Sequence, residues 1–185
     1  MNPRRNGLLL GALLLASLPC AAFAQSSASD GSSRNGSHGM TQGNHDAMFM
    51  REAAAASLAE IQAGQIALDK GSSTQVKQLA QRIIDDHTKA NDQLMSIAQR
   101  KQVTLPTAPM PMQKQEAAHL NTLSGASFDQ AYAQAMVKDH REAIKLFGME
   151  SQNGSDADLK QFASTTLPAL KQHLQMAEQI AGGAH

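Results

Sequence analysis

The sequence predicts an all-α protein in which four long helices pack as a bundle, two hairpins joined by a long crossover. Three observations carry this reading. Apolar residues recur at helical spacing through four long stretches. Two of the three connections are short turns, and the one between them is long and holds Pro106, Pro109 and Pro111. The chain is also rich in Ala, Leu and Gln and poor in aromatic residues (3%), a composition that favours helix over sheet. Its 185 residues suffice for one domain with a substantial core. The 16 basic and 16 acidic residues cancel, which argues against nucleic acid as a partner.

The first 24 residues read as a signal peptide. Arg4 and Arg5 form a short positive region, Leu8 to Leu18 an apolar run too short to span a bilayer, and Ala22-Phe23-Ala24 a small-x-small cleavage signal. Cleavage between Ala24 and Gln25 makes the protein exported, to the periplasm or cell envelope. It also removes Cys20, the one cysteine, so no disulfide or thiolate site is expected. Pro19 makes the surroundings of Cys20 a poor match to a lipoprotein signal. No later segment is apolar enough for a transmembrane helix. Residues 25–45 are Ser, Gly, Asn and Asp with little apolar content and read as a flexible linker. His38, Met40, His45, Met48 and Met50 in and just after it are a sparse copper-type donor set within otherwise ordinary linker composition.

The folded domain is expected over residues 46–182. Asp46 reads as the N-cap of a first helix that runs to Lys70 and stops at Gly71. Phe49, Ala53, Ala56, Glu60, Ala63 and Ala67 fall in one sector of it, with Glu60 a carboxylate among apolar neighbours. After Ser72-Ser73-Thr74 a second helix extends to about Gln102. Its stripe is Val76, Ala80, Ile83, His87, Asn91, Leu94 and Ala98, with His87 at the centre and Asp86 beside it. The long connection leaves room for a short helix from Gln113 to Leu123. Ser127 reads as the cap of a third long helix, Phe128 to Gln152. There Phe128, Tyr132, Met136, Asp139, Ala143 and Leu146 share a sector, and His140 and Phe147 lie on its flank. Asn153-Gly154 is a tight turn, Ser155 the next cap, and Leu159, Ala163, Leu170, His173, Ala177 and Ile180 the stripe of the fourth helix. Pro168 is expected to kink or split that helix. The order hairpin, long crossover, hairpin is the ferritin-like form of the four-helix bundle.

The runs "FMREAAAASLAEIQAG", "VKQLAQRIIDDHTKANDQL", "SGASFDQAYAQAMVKDHREAIKLF" and "LKQFASTTLPALKQHLQMA" resemble the bacterial exported domain-of-unknown-function family 4142. The resemblance spans about Phe49 to Ala177. It implies a ferritin-like bundle of the cell envelope, often described as an outer-membrane protein, and it implies no activity.

Glu60, Asp86, His87, Asp139, His140 and His173 are the candidate metal ligands, one or two on each long helix. Ferritin-like di-iron sites need Glu-x-x-His. Here Ile84, Val137 and Leu170 stand where those glutamates would be, which argues against an oxygen-activating di-iron enzyme. No catalytic residues are expected. Counting about 1.5 Å per residue from the turns places the four levels within roughly 10 Å of one another, close for a buried hydrogen-bond network and loose for a single metal shell. The reading is therefore a non-catalytic structural or interaction protein of the envelope, its partner another envelope component, with a buried Glu/Asp/His network. The alternative is a protein that binds a divalent metal ion or copper there. Met110, Met112 and His119 form a weaker copper-type group, more simply read as loop packing.

Overall fold

The computed structural model describes residues 36–183, with side chains from residue 43 onward. The expected signal peptide, most of the expected linker and the side chains of His38 and Met40 lie outside the described residues. Five helices are described: α1 (Gly36–Lys70), α2 (Thr74–Arg100), α3 (Pro111–Asn121), α4 (Gly125–Asn153) and α5 (Ala157–Gly182). None is long and apolar enough to cross a membrane.

Helices α1 and α2 form one hairpin, α4 and α5 the other. Helix α1 lies against α4, α2 against α5, and α3 against α1 and α4. Gly64 lets α1 and α2 close up, since a Cβ there would stand 2.9 Å from Ile84 Cγ1 and 3.2 Å from the Ala80 carbonyl oxygen. The cross-bundle contacts fix the directions. Asp46 in the first half of α1 reaches Ser155 after α4, and Ser72 after α1 reaches Asp129 near the start of α4. Lys101 after α2 pairs with Asp156 before α5, while Arg82 near the start of α2 donates to Gln172 on α5. Each neighbouring pair is thus antiparallel. The segment from Lys101 to Ser124 returns along the length of the bundle and carries α3 on the way.

Several ends differ from the sequence expectation. Helix α1 already runs through residues 36–45, and Asp46 is not its cap. Extending a formed helix costs far less than nucleating one, so polar residues can continue it. The Asp46 carboxylate instead accepts the Ser155 N–H at 3.1 Å. That leaves the capping of α5 to Asp156, which accepts the Leu159 N–H. Helix α4 begins at Gly125, three residues before Phe128, because Gly125 takes the positive φ (60°) that turns the chain into it. Helix α5 continues through Pro168 without a break.

The core consists of two apolar clusters. One gathers Phe49, Met50, Leu94, Phe147, Leu159 and Phe162. The other gathers Val76, Leu79, Ile83, Phe128, Tyr132 and Met136. Met50, taken with the linker donors by sequence, belongs to this core and is 1% exposed. On every long helix a polar residue separates the members of the two clusters: Glu60, His87, His140 and His173, all buried.

Candidate metal centre

Each of these four residues is delivered by the apolar stripe that contains it. His87 follows Ile83 by one turn, His140 follows Met136, and His173 follows Leu170. Their nitrogens come together, with one ligand atom from each of the three histidines within 4.8 Å of the others. His140 Nε2 lies 3.2 Å from His173 Nδ1. Glu60 Oε2 lies 3.1 Å from His87 Nε2 and 3.5 Å from His140 Nε2.

The outer ring nitrogens settle what the inner ones present. His140 Nδ1 lies 2.9 Å from the Met136 carbonyl oxygen, an acceptor, so Nδ1 carries the hydrogen and Nε2 a bare lone pair. His173 Nε2 lies 3.0 Å from Asp86 Oδ2, so Nε2–H donates there and Nδ1 is the bare atom. In neutral imidazoles two lone pairs then face each other across 3.2 Å. His87 Nε2 and Glu60 Oε2, though 3.1 Å apart, lack hydrogen-bond geometry, and neither has a partner among the described residues. Between His140 Nε2 and His173 Nδ1 there is then no hydrogen to share, and Glu60 Oε2 and His87 Nε2 stand beside them without partners among the described residues. Only a proton or a metal cation relieves that arrangement.

Protonation of the imidazoles is disfavoured. Burial, then the charges of His140 and His173, hold His87 well below the ordinary imidazole value. Burial, then His173, pushes His140 down to about 4. Burial lowers His173 too, against the pull of Asp86. Glu60 moves the other way, raised by burial and then by Asp139 and Glu116.

A pH dependence follows. His140 is depressed in the folded state, so its contribution to stability is full above the unfolded value near 6.5 and is lost as pH falls towards 4. For this one group the loss is roughly 3 kcal/mol across that window. Glu60 has the opposite sign: its contribution is lost as pH rises through its elevated folded value. Chelator-treated protein should therefore lose melting temperature steeply between pH 6.5 and 4. A loss no greater than that of chelator-treated His140→Leu, which keeps Glu60, would show that His140 is not held neutral.

The structure brings Glu60, His87, His140 and His173 to one point and places Asp86 behind His173. Asp139 lies elsewhere, 25% exposed at its side chain and 3.4 Å from Lys138 Nζ, its carboxyl pushed up to about 6 by burial and then by Glu116. It lines a groove with Glu52, Met110, Gln113 and Glu142 that reaches Glu60. By sequence Asp139 shares the apolar sector and His140 lies on its flank. The buried positions of α4 in fact step by four, Phe128, Tyr132, Met136 and His140, so the stripe drifts round the helix onto His140. Met112 and His119 are exposed, and Met110 is half-exposed at the groove.

The family described as Domain of unknown function (DUF4142) matches the chain over residues 31–180. No curated protein matches it. Several solved structures share its fold. A DUF305 fragment from Deinococcus radiodurans superposes with a TM-score of 0.66 at 14% identity, covering 75% of this chain and 96% of that one. CopM in its Cu(I)-bound form gives 0.64 at 17%, covering 75% and 96%. The conserved hypothetical protein rv2844 from Mycobacterium tuberculosis gives 0.60 at 21%, covering 76% and 93%.

Proposed function

The chain belongs to the DUF4142 family, and with that as premise we propose that it is an exported envelope protein of ferritin-like fold that holds one copper(II) ion, without catalysis, between Glu60, His87, His140 and His173. The observation that carries this is the meeting of bare donor atoms in the core, above all the two lone pairs of His140 Nε2 and His173 Nδ1 at 3.2 Å. Three imidazole nitrogens and a carboxylate oxygen suit copper(II) or zinc(II), and copper(II) binds such donors tightest among the divalent ions. No sulfur takes part, which disfavours copper(I). The outer hydrogen bonds to Met136 and Asp86 are the kind that orient metal-bound histidines. The groove lined by Glu52, Asp139 and Glu142 offers a cation an acidic approach to Glu60. CopM, of similar fold, is known in Cu(I)- and Cu(II)-bound forms, which supports copper as the ion.

A second reading keeps the layer as a purely structural network. The chain His140, His173, Asp86 favours it, because one shared proton would satisfy all three groups. Elemental analysis of the untagged protein, purified from an envelope fraction without chelator, separates the two. The copper reading expects stoichiometric copper. Folded protein that stays free of metal after exposure to equimolar copper would sink it. The intact mass of the same preparation tests export, with a chain beginning near Gln25 expected and a retained Met1 counting against it.

A further inference from the structure

One end of the bundle holds a second group of donors that the central layer does not use. His45 and Asp46 lie on α1, and Glu150 lies in the last turn of α4. Glu150 is ten residues beyond His140, about 15 Å along the helix at about 1.5 Å per residue. One ligand atom from each of the three residues lies within 4.8 Å of the other two. His45 Nδ1 is 3.4 Å from Glu150 Oε2 and 4.0 Å from Asp46 Oδ1.

Glu150 is the unusual member. It is fully buried, and neither carboxylate oxygen has a hydrogen-bond partner among the described residues. Its place is unfavourable for an anion twice over. The C-terminal turn of α4 presents the negative end of the helix dipole, and the Asp46 carboxylate stands beside it. The neighbouring cations are engaged elsewhere, Lys160 on the Gln152 carbonyl and Lys101 on Asp156. The backbone makes room for Glu150 as it stands: a Cβ on Gly154 would collide with its Oε1. His45, 48% exposed at its side chain, closes the outer side.

We infer that His45, Asp46 and Glu150 form a second cation site, for a borderline divalent ion such as zinc(II). One imidazole nitrogen and carboxylate oxygens are donors that ion accepts, and a bound cation supplies the charge that the buried Glu150 lacks. The ion clasps the early part of α1 to the α4–α5 turn, where Asp46 already accepts the Ser155 N–H. The exposed imidazole leaves the site open to solvent, so the ion exchanges freely there.

Zinc chloride titrated into the untagged, metal-stripped full chain tests this, read by calorimetric stoichiometry and by hydrogen exchange over residues 43–50. Wild type should take up two ions, with exchange in that segment slowed at least tenfold. His140→Leu should keep one ion and the full protection. Glu150→Gln, nearly isosteric, should lose one ion and the protection while central uptake persists. His45→Ala alters only an exposed side chain and should give the same loss, which keeps the test decisive should Glu150→Gln fail to fold. If the central copper reading fails and this one holds, wild type binds one ion, which Glu150→Gln removes and His140→Leu does not. Wild-type stoichiometry and protection in both Glu150→Gln and His45→Ala would overturn the inference.

Discussion

His140→Leu is expected to leave a folded bundle whose melting temperature no longer answers to copper(II). Made alongside a control in the Glu150→Gln background, so that only the central layer responds, the comparison isolates one site. At free copper a hundredfold above its dissociation constant the control gains about 2.7 kcal/mol by ligand linkage. For a domain of this size that is a rise of roughly 10 °C. The leucine variant should shift by less than about a fifth of that, because the lost imidazole supplies the atom that lies 3.2 Å from His173 Nδ1 and 3.5 Å from Glu60 Oε2. Its stability without metal should stay within about 2 kcal/mol of the control, since leucine fills similar volume and an apolar replacement of a buried polar group is often neutral. Equal copper-induced shifts in the two proteins would remove His140 from the ligand set.

Asp129→Ala should cost roughly 2–4 kcal/mol of folding stability and leave copper uptake intact. Its carboxylate accepts from the Ser72 N–H at 3.0 Å, the Ser72 hydroxyl at 2.6 Å and the Ser73 N–H at 2.9 Å. Two of these donors belong to the backbone of the α1–α2 turn, and the charge strengthens all three bonds. Truncation leaves them unpaired or wet and frees the turn from α4. Urea unfolding measures the loss, and Asp129→Asn, which keeps one acceptor oxygen, should fall between. A midpoint within experimental error of wild type would show that the hairpins hold together without this tie.

Periodicity was enough to place His87 in the core and to order the two hairpins around their crossover. It works for features set by one helix's own stripe. Tighter convergence was out of its reach: levels counted from the turns left roughly 10 Å of spread, whereas the histidine donors lie within 4.8 Å. The count takes every helix as straight and measures each level only from its own hairpin turn, so it does not fix the height of one hairpin against the other. Asp129 and Asp46 were illegible for another reason. Their partners are backbone N–H groups in turns 57 and 109 residues away, and no pattern of side chains records such a bond. The capping role expected of Asp46 was a sound local inference that a distant turn overrode.

The donor set of the central layer is divided between the two hairpins. Glu60 and His87 arrive with α1 and α2, His140 and His173 with α4 and α5, and the chain joining the pairs is the long crossover. Neither half carries a complete coordination shell, so an ion that prefers the full shell favours the docked arrangement over two separated hairpins. With an ion bound as proposed, the crossover would act as a tether that keeps the halves at high effective concentration, and the ion as the bolt between them. Severing the tether would turn an internal rearrangement into the association of two fragments, with metal setting how tightly they hold.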